Sequence, residues 1–148
     1  MIIIVAVDND FGLLFHGKRT TKDREVQKHI LTLRGNELLY MNQYTSEQFR
    51  DMDLLSNIVI MDTFLQEAKK GEYCFVEDTQ LKPHIHNIEK IILFKWNRCY
   101  PSTFKLDFIP EKNGWTCTKT EDFKGYSHDK ITMEYWIPME ETHREKEN

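Results

Sequence analysis

The chain has 148 residues, 40% apolar and 30% charged, with a formal net charge of −4. That length suits one domain with one core. The acidic balance, with no basic stripe interleaved with aromatics, argues against nucleic acid as a partner. No apolar run is long enough for a membrane span. Cys74, Cys99 and Cys117 are an odd number at wide spacing without a CxxC pair, which argues against a disulfide framework or zinc cage and for reduced thiols.

The apolar run over 1–7 reads as a buried strand; it lacks the basic leader and cleavage site of a signal peptide, so a cytoplasmic protein is expected. Asp8-Asn9-Asp10-Phe11-Gly12 reads as a turn, continued by a polar loop through His16, Gly17, Lys18 and Arg19 to Thr21. Val26, Ile30 and Leu33 recur at helical spacing with His29 beside them, predicting an amphipathic helix over 24–34, capped by Asp23 and ended by Gly35. Leu38-Leu39-Tyr40-Met41 predicts a second buried strand, after which Thr45-Ser46-Glu47 opens a polar turn or short helix. Such a junction is a place where phosphates are held, because helix N–H groups and small hydroxyls point out from the strand's end. An ordinary Thr or Ser cap is the plainer reading of the same residues.

A third apolar run covers 58–61. Asp62-Thr63 then begins a helix carrying Phe64, Leu65 and Ala68, closed by Lys69-Lys70-Gly71. A fourth strand over 73–76 has Glu77-Asp78-Thr79 at its carboxyl end, and a helix or loop through Ile85 and Ile88 leads to a fifth over 90–95. Strands alternating with helices predict a mostly parallel sheet with helices on its faces. Strands over 104–108, 115–119 and 131–137, with turns at Asn113-Gly114 and 125–129 and no helix between, predict an antiparallel end. The domain is expected to end at Pro138, leaving a charged tail with almost nothing to bury. His84-x-His86 has no third ligand at a recognisable spacing, so no metal is expected.

Ala6 in the first strand, Phe11-Gly12, Gly17-Lys18, the 38–41 strand with Thr45-Ser46-Glu47, Pro101-Ser102-Thr103-Phe104, Trp115, and Tyr126-Ser127-His128 ahead of Ile131-Thr132-Met133-Glu134-Tyr135 form an ordered series. Together they resemble the dihydrofolate reductase family over almost the whole chain. The resemblance implies a three-layer α/β fold and NADPH-dependent reduction of dihydrofolate or a related pterin, the cofactor supplying the hydride and the protein positioning both rings. It further implies a pterin pocket at Ala6, Val7, Val26, Ile30 and Phe75, and a cofactor site at Gln43, Thr45, Ser46, Glu77 and Asp78.

The family places a carboxylate in the first turn of the helix near Arg24, four residues before an aromatic. A gapless alignment of GKRTTKDREVQKHI puts Val26 and Ile30 there, whereas a one-residue slip puts Glu25 and His29 there, and the pattern leaves the register open. Glu25 is the candidate acid; a solvent-facing Glu25 behind an Asp23 cap is the plain alternative. Other positions depart from the family. Its Gly-Arg-x-Thr is Asn42-Gln43-Tyr44-Thr45, which lacks the cation for a 2′-phosphate. Its Gly-Gly pair falls at Val76-Glu77-Asp78, where carboxylates repel a pyrophosphate unless they hold a metal or turn away. Leu54-Leu55-Ser56-Asn57 lacks an arginine for the folate tail, the stretch between Met61 and Tyr73 is too short for an additional strand, and Thr21 replaces a loop tryptophan. Two functions are therefore expected: an NADPH-dependent pterin reductase, or a non-catalytic descendant that binds a protein partner or another small ligand.

Overall fold

The computed structural model describes residues 1–52 and 57–139. The expected tail beyond Met139 and Leu54-Leu55-Ser56 lie outside the described residues. In chain order the strands are β1 (Ile2–Val7), β2 (Gly12–Phe15), β3 (Lys18–Arg19), β4 (Leu39–Met41), β5 (Ile58–Ile60), β6 (Tyr73–Phe75), β7 (Lys90–Lys95), β8 (Phe104–Lys105), β9 (Thr116–Phe123) and β10 (Ile131–Ile137). The helices are α1 (Arg24–Leu33), α2 (Gln43–Ser46) and α3 (Phe64–Glu67), with 3-10 turns at Glu47–Phe49, Lys82–Asn87 and Glu111–Asn113.

The main sheet runs β5-β4-β6-β1-β7-β10-β9, parallel from β5 to β7, with β10 antiparallel to both β7 and β9. This is the α/β architecture expected, with its parallel body and antiparallel end. Strand pleating splits β1 between two cores. Ile2 and Ile4 pack with Val26 and Ile30 of α1, while Ile3, Val5 and Val7 pack on the opposite face with Leu65, Leu81 and Phe108. Each fully buried branched side chain contributes on the order of 1.5–3 kcal/mol, so the central run of β1 anchors both layers.

Four expectations change. The polar loop after the first strand contains a hairpin: β2 pairs with β3 and with β8 in a second, three-stranded sheet, because Leu13 and Leu14 are buried and His16-Gly17 turns with positive φ. The stretch at 104–108 is strand only at β8 and belongs to that sheet, and a 3-10 turn follows it, so the antiparallel end of the main sheet is β9 with β10. The short helix after β4 starts at Gln43, capped by the Asn42 side chain, which accepts from the Thr45 N–H. Thr45 and Ser46 are thus inside α2 rather than capping it. Gly71 likewise lies in the turn before β6, since α3 ends at Glu67. Among the described residues no helix is long and apolar enough to cross a membrane.

Candidate functional site

The carboxyl ends of the adjacent strands β6, β1 and β7 meet at one edge, the place where open α/β sheets hold ligands. A cleft opens there. Its floor is Ala6, Phe75 and Trp96 from the sheet with Val26 from α1; Gln48 and Glu77 wall one part, and Leu13 with Arg19, Thr20, Thr21 and Lys22 covers another. The covering residues all come from the segment between β1 and α1. The space inside for water-sized centres is about 20 Å³, roughly what one water needs.

Arg19 and Glu77 join the two walls. Arg19 Nε donates to Glu77 Oε2 at 2.9 Å and Nη2 to Oε1 at 2.8 Å, a bidentate ion pair between side chains 58 residues apart. Tyr44 backs the pair: its carbonyl accepts from Arg19 Nη2, its hydroxyl accepts from the Arg19 N–H, and its ring lies under the guanidinium at 4.4 Å. The Glu77 carboxylate holds the Arg19 proton even more firmly than usual.

A second network fixes the start of α1. Asp23 caps the helix by accepting from the Glu25 N–H, and also accepts from the N–H groups of Tyr126 and Ser127, the Ser127 hydroxyl and His128 Nδ1. Burial opposes its charge, but these donors outweigh it and lower the carboxyl to about 2. An ionised carboxylate only accepts, so His128 Nδ1 is the donor in this contact. Its Nε2 lies 3.0 Å from the Tyr100 hydroxyl and 3.3 Å from Thr21 Oγ1. The ring stacks on Trp96 at 4.6 Å between centroids.

Of the residues expected in the pterin pocket, Ala6, Val26 and Phe75 come together in the cleft, and Ile30 is buried beneath them on the same face. Val7 lies in the opposite core, as its place beside Ala6 on a pleated strand requires. Glu25 is half-buried and pairs with Lys28 at 3.4 Å; the first-turn side chain of α1 that lines the cleft is Val26. One step along a helix turns a side chain by roughly 100°, and this separates the two. Of the cofactor candidates, Glu77 lines the cleft, while Asp78 accepts from Asn42 Nδ2. Gln43 is exposed, its carbonyl accepting from the Ser46 hydroxyl. Thr45 is fully buried, and its Oγ1 has no hydrogen-bond partner.

Arg19, Gln48 and Trp96 are among the cleft residues that sequence reading left unassigned. Gln48 Oε1 accepts from Gln27 Nε2, whereas Gln48 Nε2 is a buried donor without a partner. No local pattern marks these three, since their neighbours in space are far away in sequence. NADPH, the cofactor that such a fold implies, meets mixed chemistry here. Thr45 Oγ1 and Gln48 Nε2 are buried polar atoms without partners, the carboxylates of Glu77 and Asp78 at the end of β6 repel a pyrophosphate laid against them, and the Arg19 charge is already taken by Glu77. The residues as arranged do not fit it.

No family model matches the sequence, and no curated protein matches it. Among solved structures, the chain is similar to a dihydrofolate reductase from Enterococcus faecalis complexed with NADP(H) and RAB-propyl, with a TM-score of 0.66 and 13% identity over 95% of this chain and 97% of that chain. The fold of this chain is therefore dihydrofolate-reductase-like from end to end of the match.

Proposed function

We propose that this chain is a dihydrofolate-reductase-like protein that binds a folate- or pterin-type small molecule in the cleft, without reducing it. The observation that carries this is Val26: the side chain aimed at the floor beside Ala6, Phe75 and Trp96 is apolar, and the carboxylate that does line the cleft, Glu77, is committed to Arg19. Such a floor suits the face of a flat heterocycle. Gln48 Nε2, a donor without a partner, suits an acceptor on its edge. Proton delivery to a reduced ring needs a group that valine cannot supply.

Isothermal titration of folate into the wild-type protein and into Ala6→Leu tests the binding site. Saturable heat from the wild type, at least tenfold weaker in the variant, is expected. No saturable binding at millimolar folate would remove the reading.

A second reading, NADPH-dependent reduction of dihydrofolate or a related pterin with Glu25 as a displaced acid, draws its support from the likeness of the whole fold to a dihydrofolate reductase. That reading requires Glu25→Ala to abolish turnover and Val26→Asp to raise it. A rate untouched by either change removes the acid assignment.

A further inference from the structure

We infer that β5 is an interaction edge whose occupant is the β5 of a second copy of this chain, joined antiparallel about a two-fold axis at Val59. This goes beyond the ligand-binding reading and is independent of what the cleft holds. β5 ends the main sheet, and among the described residues it pairs with β4 alone. Between β5 and β6 the chain forms α3 and a turn, so it supplies no further strand to close this side. The ladder to β4 fixes which backbone groups are left over. The Leu39 N–H donates to the Asn57 carbonyl and the Met61 N–H to the Met41 carbonyl, so Asn57, Val59 and Met61 face β4. By alternation the N–H and C=O groups of Ile58 and Ile60 face outward, four groups that β4 does not satisfy.

Ile58-Val59-Ile60 reads the same in both directions, which is what a two-fold edge requires. With Val59 opposite its own copy, Ile58 meets the partner's Ile60 and Ile60 meets the partner's Ile58. Both are hydrogen-bonded pairs that exchange two N–H···O bonds, so all four outward groups are used. A shift of one residue sets an outward-facing residue against an inward-facing one and makes no such pair. The side chains agree with this register. Ile60 is 46% exposed, while Ile58 packs against the core on the α1 face. Pleating puts Ile60 on that same face, where the partner's Ile58 covers it. β5 has no charge, proline or bulge to keep another edge away, and a neutral edge meets its copy without opposing like charges. The opposite edge, β9, carries Lys119, Glu121 and Asp122 and a register irregularity beside Tyr135 and Trp136. One open edge per copy closes the assembly at two. Three residues a side bury less than the roughly 1,200 Å² of a stable interface, so the pair is reversible and fills at high concentration.

Sedimentation equilibrium of the full chain from low micromolar to millimolar concentration tests this, with Ile60→Lys and Glu121→Ala run beside the wild type. Val59→Cys and Asp62→Cys are compared in a background in which the exposed Cys99 and Cys117 are replaced by serine. The wild type is expected to shift from monomer toward dimer across the series. Ile60→Lys should weaken association at least tenfold, and Glu121→Ala should leave it unchanged. Facing Val59 positions form a non-hydrogen-bonded pair with Cβ atoms about 4.5–5.5 Å apart, so Val59→Cys should give a disulfide-linked dimer under mild oxidant at least tenfold faster than Asp62→Cys. A wild type that stays monomeric at millimolar concentration overturns the pairing. Association as strong in Ile60→Lys as in the wild type, or lost in Glu121→Ala, also overturns it, because another surface then carries the contact. If Ile60→Lys does not fold, the cysteine pair decides, and equal cross-linking at the two positions removes the two-fold register. Mass that grows beyond two copies removes the closed edge.

Discussion

Asp23 Oδ2 accepts a hydrogen bond from His128 Nδ1 at 2.9 Å across 105 residues of chain, with both side chains all but closed to solvent. This contact joins the N-terminus of α1 to the turn between β9 and β10. Its carboxylate is held at about 2, below the ordinary aspartate value near 3.9 in an unfolded chain. A carboxyl depressed on folding adds stability that is complete above the unfolded value and is lost as pH falls through the folded one. Asp23→Asn should cost about 2 kcal/mol at neutral pH, and the gap between variant and wild type should close between roughly pH 4 and pH 2. Urea denaturation at a series of pH values reads both.

Gly125 in the same turn has no room for a side chain. A Cβ there would sit 2.6 Å from Asp23 Oδ2, 2.7 Å from Ile131 Cδ1 and 3.0 Å from the His128 carbonyl oxygen. Because the carboxylate is clamped by five donors, it cannot step aside cheaply. Gly125→Ala should destabilise by about 2–3 kcal/mol. Thermal denaturation should show it losing at least as much as Ser127→Ala, which removes only a hydroxyl and about 1 kcal/mol.

Thr45 predicts the opposite sign. Its hydroxyl is buried and unpartnered, so Thr45→Val removes a desolvated polar atom and keeps the branched shape. The variant should be as stable as the wild type or more stable by up to about 1 kcal/mol. A loss beyond that, measured by chemical denaturation, would show that the hydroxyl has work in the folded protein, and weaker NADPH binding in the same variant would favour the reductase reading.

Val26→Asp places a carboxyl against Ala6, Phe75 and Trp96. Burial raises such a group, so the unfolded chain ionises first and the variant loses stability as pH rises from about 4. The cost at neutral pH should be about 3 kcal/mol or more, falling toward that of a neutral polar substitution below pH 4. The binding reading predicts no gain in dihydrofolate turnover from this change.

The parallel body was legible because long-range order there follows local periodicity. The 90–95 run is β7, and Val26 and Ile30 recur at the spacing that buries one face of α1. The β2–β3 hairpin was not legible, since two and four residues give too little alternation to stand out from a polar loop. The register of α1 is a sharper case. Glu25 and Val26 are both compatible with an apolar-periodic helix, and only the position of β1 and β6 decides which one faces the cleft. The reach of Arg19 to Glu77 carries no local signal at all: each looks like a solvated charge in a turn. In sequence, Glu77 and Asp78 repel a pyrophosphate unless they hold a metal or turn away, and the pairing of Glu77 with Arg19 is an arrangement that neither sequence neighbourhood announces.

The most direct measurement is NADPH consumption by the wild-type protein with dihydrofolate at neutral pH, alongside folate titration of the same preparation. The account predicts saturable folate binding and NADPH loss no faster than in protein-free buffer. Dihydrofolate-dependent NADPH consumption proportional to protein concentration would contradict it and return the cleft to the reductases whose fold it shares.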